Sequence, residues 1–134
     1  MQFGGPGPEK NGGISDTELL SLITRLTVAY EDGDSKTLEN LFAARAQTNS
    51  EAGRRAIVKS YRRLFNVTEQ RKMALYDISW WREGTMALGQ GRFEVRVTEK
   101  GETASSLYSG DVIVRVEKLN GAPQITQLYH HYYQ

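Results

Sequence analysis

From Arg71 to the end of the chain the hydrophobic pattern has a period of two and never returns to a helical one. Four runs carry it, at about 71–81, 85–98, 103–117 and 123–133, separated by Glu83-Gly84, Lys100-Gly101 and Asn120-Gly121. Asn-Gly between two alternating runs is the strongest short hairpin signal a sequence offers. Runs joined by tight turns pair consecutively, which predicts a four-stranded antiparallel meander. Pro123 falls at a strand start, where it removes no central ladder bond. Within the second run the apolar parity switches from Met86 and Leu88 to Phe93, Val95 and Val97, with Gly89-Gln90-Gly91 between them. That switch predicts a bulge or bend which curves the sheet.

Helical periodicity is confined to the segment ahead of the sheet. Ser15-Asp16-Thr17-Glu18 fits a capping box, and Leu19, Leu22, Ile23, Leu26 and Tyr30 follow at three- and four-residue spacing. Gly33 is placed to end this helix in a left-handed conformation, and Asp34 to cap a short second helix carrying Leu38, Leu41 and Phe42. A third helix is expected from near Ser50, turning Ile57, Tyr61, Leu64 and Phe65 inward. Its opposite face, Arg55, Lys59, Arg62 and Arg63, reads as a solvated helix face, because no aromatic side chains interleave it. Arg54 lies at the edge of the core face, where a surface ion pair is the ordinary use and an acidic ligand the functional one. Residues 1–14, with five Gly and two Pro, read as a flexible linker, and residues 15–134 as one domain. A lead-in of this kind fits a domain tethered to a larger protein.

Composition narrows the function classes. A net charge of +1 gives no reason to expect nucleic acid or an anionic membrane as partner. Without Cys there is no thiolate nucleophile or thiolate metal site. No apolar run approaches the roughly 18 residues of a membrane span, and the N-terminus lacks a signal-peptide pattern. Together these fit a cytoplasmic protein, with a periplasmic domain of an anchored protein as the alternative. The sheet carries apolar residues on both faces in places. The second face then needs cover, and a homodimer through the sheet is the simplest solution.

These elements, in this order, resemble the NTF2-like superfamily. That cystatin-like, cone-shaped α+β fold is shared by nuclear transport factor 2, ketosteroid isomerase, SnoaL-type polyketide cyclases and the kinase association domain. The resemblance runs from Ser15 to Tyr133. It rests on Ala29-Tyr30-Glu31-Asp32-Gly33-Asp34, on Leu38 with Leu41-Phe42, on Gly53-Arg54-Arg55-Ala56-Ile57 with Tyr61 and Leu64-Phe65, and on Asn120-Gly121 leading into Ile125. It implies three N-terminal helices packed on a curved antiparallel four-stranded sheet. It also implies a cone that serves as an enzyme site, a ligand pocket or a dimerisation module.

The catalytic pattern of the family's enzymes does not carry over. Their carboxylate after the second helix would follow Leu41-Phe42, where this chain has Ala43-Ala44-Arg45-Ala46 and no acid before Glu51. Their tyrosine inside the first helix falls at Leu26, and their acid on the third strand at Ile113, with Asp111 two residues earlier on the same face. A general base must reach the proton it takes. The weak candidates left are Asp77, whose burial on a strand would be a functional sign, Asp111 and His130. His130 and His131 are adjacent on a strand and face opposite ways, so they cannot share a metal, and one lines the cone. No metal and no cofactor are expected. Tyr30, Arg54, Tyr61, Trp80 and Tyr108 are the candidate pocket residues for a small hydrophobic ligand, although aromatics more often serve as core or interface. Two readings follow. One is a non-enzymatic module that dimerises and binds a ligand. The other is a small isomerase, cyclase or dehydratase working with a non-standard acid–base residue.

Overall fold

The computed structural model describes residues 13–133. Three helices, α1 (Asp16–Asp32), α2 (Ser35–Leu41) and α3 (Arg54–Val67), cover one face of a five-stranded sheet. The strands are β1 (Phe42–Thr48), β2 (Thr68–Glu83), β3 (Met86–Glu99), β4 (Ser106–Leu119) and β5 (Ala122–Tyr132), in the order β1-β5-β4-β3-β2. The α+β class and the meander β2–β5 match the sequence reading. The sheet has one strand more than the four expected.

The fifth strand is β1, which pairs in parallel with β5 at Phe42↔Ile125 and Thr48↔Leu128. Its sequence, Phe-Ala-Ala-Arg-Ala-Gln-Thr, has almost none of the β-branched residues that mark a strand. Burial of Phe42, Ala43 and Ala46 holds it in place. The same arrangement delays α3 to Arg54, later than the expected start near Ser50. Residues 47–53 are otherwise engaged: Thr48 and Glu51 close a turn through Thr48 N to the Glu51 carbonyl at 2.9 Å, and Gly53 N donates to the Ala46 carbonyl at 2.7 Å.

The bend in the sheet lies in β2 rather than in β3. Pairing of β3 with β4 is uninterrupted from Met86 to Val97, whereas β2 slips register against β3 between Tyr76 and Ser79, with Asp77 at φ +54°. The glycines of β3 are the space into which the bulged strand settles. A Cβ on Gly89 would lie 2.7 Å from the Trp80 ring, and one on Gly91 2.9 Å from the Tyr76 carbonyl oxygen.

Helix α1 has the expected capping box, with Glu18 N donating to Ser15 Oγ at 3.1 Å and Ser15 N to Glu18 Oε1 at 3.0 Å. It ends at Gly33, φ +69°. Asp34 caps α2 by accepting from Thr37 N at 3.0 Å. The closed end of the fold is a core of Leu19, Leu22, Ile23 and Leu26 from α1 against Ala87, Val114, Val116 and Ile125 of the sheet, with Leu38, Leu41, Phe42 and Ile57. Ile14, assigned to the linker by sequence, is 1% exposed and belongs to this core. Gly13 is buried beside it, its carbonyl accepting from Lys118 Nζ at 3.3 Å, and residues 1–12 of that linker lie outside the described residues.

The C-terminal end of α1 is fastened to β2 by Arg71. Its Nε donates to the Tyr30 carbonyl at 2.9 Å and Nη2 to the Glu31 carbonyl at 3.3 Å. Nη1 donates to the Thr68 carbonyl at 3.2 Å and to Thr68 Oγ1 at 2.6 Å. The guanidinium stacks 4.8 Å from the centre of the Phe65 ring. A cation at a helix C-terminus also complements the helix dipole. Glu31 adds a return tie, accepting from Met73 N at 3.1 Å on the edge strand. Replacing Arg71 with Met removes a charged donor from each of these carbonyls, leaving the Tyr30 carbonyl the Gly33 N–H at 3.3 Å, and Arg71→Met should lose about 1.5–3 kcal/mol in urea denaturation, the scale of hydrogen bonds to a charged group. A loss below about 0.5 kcal/mol, the level of an ordinary surface change, would show that the clamp carries little.

Candidate functional site

Beyond Leu26 the helices and the sheet diverge, and the space between them stays open. The cavity has a volume of about 350 Å³, inside the roughly 300–1,000 Å³ range of small-molecule sites. Its inner wall is Leu26 and Tyr30 of α1 with Tyr61 and Leu64 of α3. The sheet contributes Met73 and Leu75 from β2, Phe93, Val95 and Val97 from β3, Tyr108 and Val112 from β4, and Leu128, His130 and Tyr132 from β5. Strand parity explains the set. Phe93, Val95 and Val97 are alternate residues on one face, and β4 and β5 present their even-numbered residues to the same side. Glu99 is the one carboxylate among the lining residues, and it is exposed at the lip.

Two aromatic groups shape the cone. In the inner group the Tyr30 ring meets the Tyr61 and Phe65 rings edge-on at 6.2 Å, and Tyr61 stacks on Phe65 at 6.1 Å. Burial pushes the Tyr30 phenol up to about 12, with the nearby Arg71 charge opposing the shift. Burial pushes the Tyr61 phenol up as well. Both are therefore neutral O–H groups at physiological pH. In the mouth group, Phe93, His130, Tyr132 and Tyr108 pack ring against ring, the closest pair being His130 and Tyr132 at 4.8 Å.

Of the pocket residues named from sequence, Tyr30, Tyr61 and Tyr108 line the cavity. Arg54 does not; its Nη1 donates to the Phe42 carbonyl at 3.4 Å, tying α3 to β1. Trp80 faces the helix side but packs at the closed end, bordering a surface groove with Leu19, Leu20 and Ile23. Of the acid–base candidates, Asp77 is exposed on the bulge of the edge strand. Asp111 is on the outer face, paired across the ladder with His131, and accepts from the Tyr133 hydroxyl at 2.8 Å. Only His130 faces the cone. Sequence reasoning passed over Phe93 and Tyr132, although their alternation with outward residues placed them on the same face as Val95 and Tyr108.

His130 is held by an unusual contact. The Asn49 side chain donates from Nδ2 to the His130 carbonyl at 3.0 Å and accepts the His130 N–H at Oδ1 at 2.9 Å. One amide side chain thus pairs with both backbone groups of His130, as a neighbouring strand would. His130 is exposed at the mouth of the cone, and partial desolvation by its neighbours lowers its pKa from the ordinary 6.5, which favours the neutral ring. Among the described residues no group of three or more His, Cys, Asp or Glu could hold a metal ion.

No family model matches the chain, and no curated protein matches its sequence. Solved structures do match. A proposed scytalone dehydratase from Novosphingobium aromaticivorans superposes with a TM-score of 0.81 at 12% identity, over 88% of this chain and 83% of that one. An NTF2-like superfamily protein from Salmonella enterica serovar Typhimurium gives 0.79 at 14% identity, over 88% and 90%. The chain adopts the NTF2-like fold. A hexachlorocyclohexane dehydrochlorinase, LinA type 2, shares it at a TM-score of 0.77 and 10% identity, over 88% and 84%. Identities this low speak for the NTF2-like architecture and leave the chemistry to the residues in the cone.

The His130 environment gives a direct expectation. Followed by NMR, its imidazole should titrate below 6.5. The folded ring takes up its proton less readily than the unfolded one. The associated stability is therefore complete above pH 6.5 and declines as pH falls toward the folded pKa. A His130 pKa at 6.5 would mean that the ring is fully solvated, and one above 6.5 that it is paired with an acid.

Proposed function

We propose that this chain is an NTF2-like binding module that takes a small apolar molecule into its cone and dimerises through the outer face of its sheet. The carrying observation is the cavity itself: about 350 Å³, apolar along its walls, with no carboxylate among its inner residues. Burial of an apolar ligand contributes about 25 cal/mol per Å² removed from water. The Tyr30 and Tyr61 phenols can add hydrogen bonds that orient a carbonyl or hydroxyl. A neutral fluorescent probe, N-phenyl-1-naphthylamine, should bind with one site per chain and brighten. Val95→Trp, which fills the cavity from the sheet side, should weaken that binding at least tenfold while leaving the circular dichroism spectrum unchanged. Undiminished probe binding in this variant would contradict the cone as the site.

A second reading rests on one residue. His130 is a neutral imidazole beside an apolar cavity, the state required of a general base. Two of the structurally similar proteins carry the names of a dehydratase and a dehydrochlorinase. On this reading the chain takes a proton from a bound ligand at His130, and the neutral phenols of Tyr30 and Tyr61 stabilise the developing negative charge. The two readings separate at His130→Ala. An eliminating enzyme turns its ligand over before the substitution and loses that turnover at His130→Ala, whereas a binding module shows no turnover in either form and changes only in affinity.

The outer face supports the dimer. It exposes Trp81 at 57% and Ile113 at 37%, along with Tyr76 and Tyr133, on strands whose other face is covered by helices. Large exposed apolar groups on one sheet face are the mark of an interface. Sedimentation should give a dimer at tens of micromolar chain, and Trp81→Glu combined with Ile113→Glu should give a folded monomer. A wild-type monomer at that concentration would contradict this assembly.

A further inference from the structure

The cone has a second chamber. A pocket of about 330 Å³ lies beside it, lined by Thr48, Asn49, Ser50, Glu51 and Ser60, and it shares Tyr61, Leu64, Leu128, His130 and Tyr132 with the cone. One chamber is walled by aliphatic and aromatic side chains. The other has hydroxyls, an amide and a carboxylate along one side. His130 stands at the junction, held there by the two-point contact with Asn49.

The charges of the lining residues have one sign. Glu51 lines the polar chamber and Glu99 the lip of the cone, and among the described residues no Lys or Arg lines either. Arg71, the cation beside Tyr30, has four of its five N–H donors on the Tyr30, Glu31 and Thr68 oxygens and is held at the end of α1, away from the polar chamber's lining. An anionic end placed in the polar chamber would give up hydration beside Glu51 with no cation among the lining residues there, which is costly in a partly buried site. A cation would meet carboxylates and the faces of tyrosine rings, both attractive.

Resting on the binding reading above, we propose that the two chambers form one site for an amphipathic molecule. Its apolar body lies in the cone, and its neutral or cationic hydrogen-bond-donating end, an amine or an alcohol, lies beside Glu51. The loop that presents Glu51 is held by its backbone, with Glu51 N donating to Thr48 Oγ1 at 3.1 Å and the Glu51 carbonyl accepting from Thr48 N at 2.9 Å. The carboxylate can therefore be changed without undoing the loop.

The test is displacement of N-phenyl-1-naphthylamine at pH 7.5 by three ligands of equal chain length: octylamine, octanol and octanoate. Octylamine and octanol should displace the probe, and octanoate should be at least tenfold weaker than octylamine. Glu51→Gln should narrow the octylamine-to-octanoate ratio at least threefold and leave octanol unchanged. Octanoate binding as well as octylamine would overturn the inference, with the cone as a binding site still standing on the probe itself. A ratio that narrows in Glu99→Gln but not in Glu51→Gln would overturn the placement of the polar end. Absence of probe binding would remove the underlying reading and this inference with it.

Discussion

The contact between Arg71 and the end of α1 is the constraint on which the open cone depends. At its other end α1 is packed into the core through Leu19, Leu22 and Ile23 and is joined to the sheet by the ion pairs Asp16–Arg82 and Glu18–Lys118. At its C-terminal end the helix passes over the wide part of the cone, where few side chains reach across to hold it. There Arg71 takes the carbonyls of Tyr30 and Glu31, reaches back to Thr68, and stacks on Phe65. One guanidinium thus joins α1, the end of α3 and the start of β2. It supplies the Glu31 carbonyl with a donor at the helix end and adds one to the Tyr30 carbonyl, which also accepts from Gly33 N at 3.3 Å. It also fixes Tyr30, whose ring sits against Tyr61 on the inner wall. A cavity survives only if its walls are held apart by something other than its contents, and this contact is part of that frame.

Sheet curvature supplies the rest. The bulge at Asp77 turns β2 toward the helices, and Gly89 and Gly91 leave room for the Ile78 and Trp80 side chains that settle against them. The closed end is then filled by branched aliphatic residues, Val114, Val116 and Ile125, which pack densely. At the open end the same strands carry Phe93, Tyr108, His130 and Tyr132, which pack against one another around the mouth rather than across it. The change of side chains along β4 and β5 is what converts a core into a cavity within one sheet.

Much of this was legible in the sequence, and the misses have physical causes. The capping box, Gly33, Asp34 and the Asn-Gly turn are local signals whose partners lie within a few residues, and each stands where it was read. Strand β1 was invisible because a sequence of Ala, Arg and Gln acquires strand geometry only from its pairing with β5. The glycines of β3 signalled a distortion correctly but on the wrong strand, because a glycine also marks where a neighbour approaches. In the site, Tyr30 and Tyr61 followed from helical periodicity and Tyr108 from its aromatic chemistry. Arg54 and Trp80 shared those signals, and packing directed them to the Phe42 carbonyl and to the closed end. Arg71 and Asn49 carried no signal at all, since both act on backbone groups about 40 or 80 positions away.

The most direct test of the account is a crystal structure of the protein under xenon pressure. Xenon enters apolar space that is held open and ignores space that is filled or polar. Density is expected in the cone between Leu26, Tyr30, Phe93 and Val112, with the Arg71 contacts intact. A cone without xenon, with Tyr61 and Phe93 fallen together across it, would contradict the claim that this fold maintains a site for a ligand.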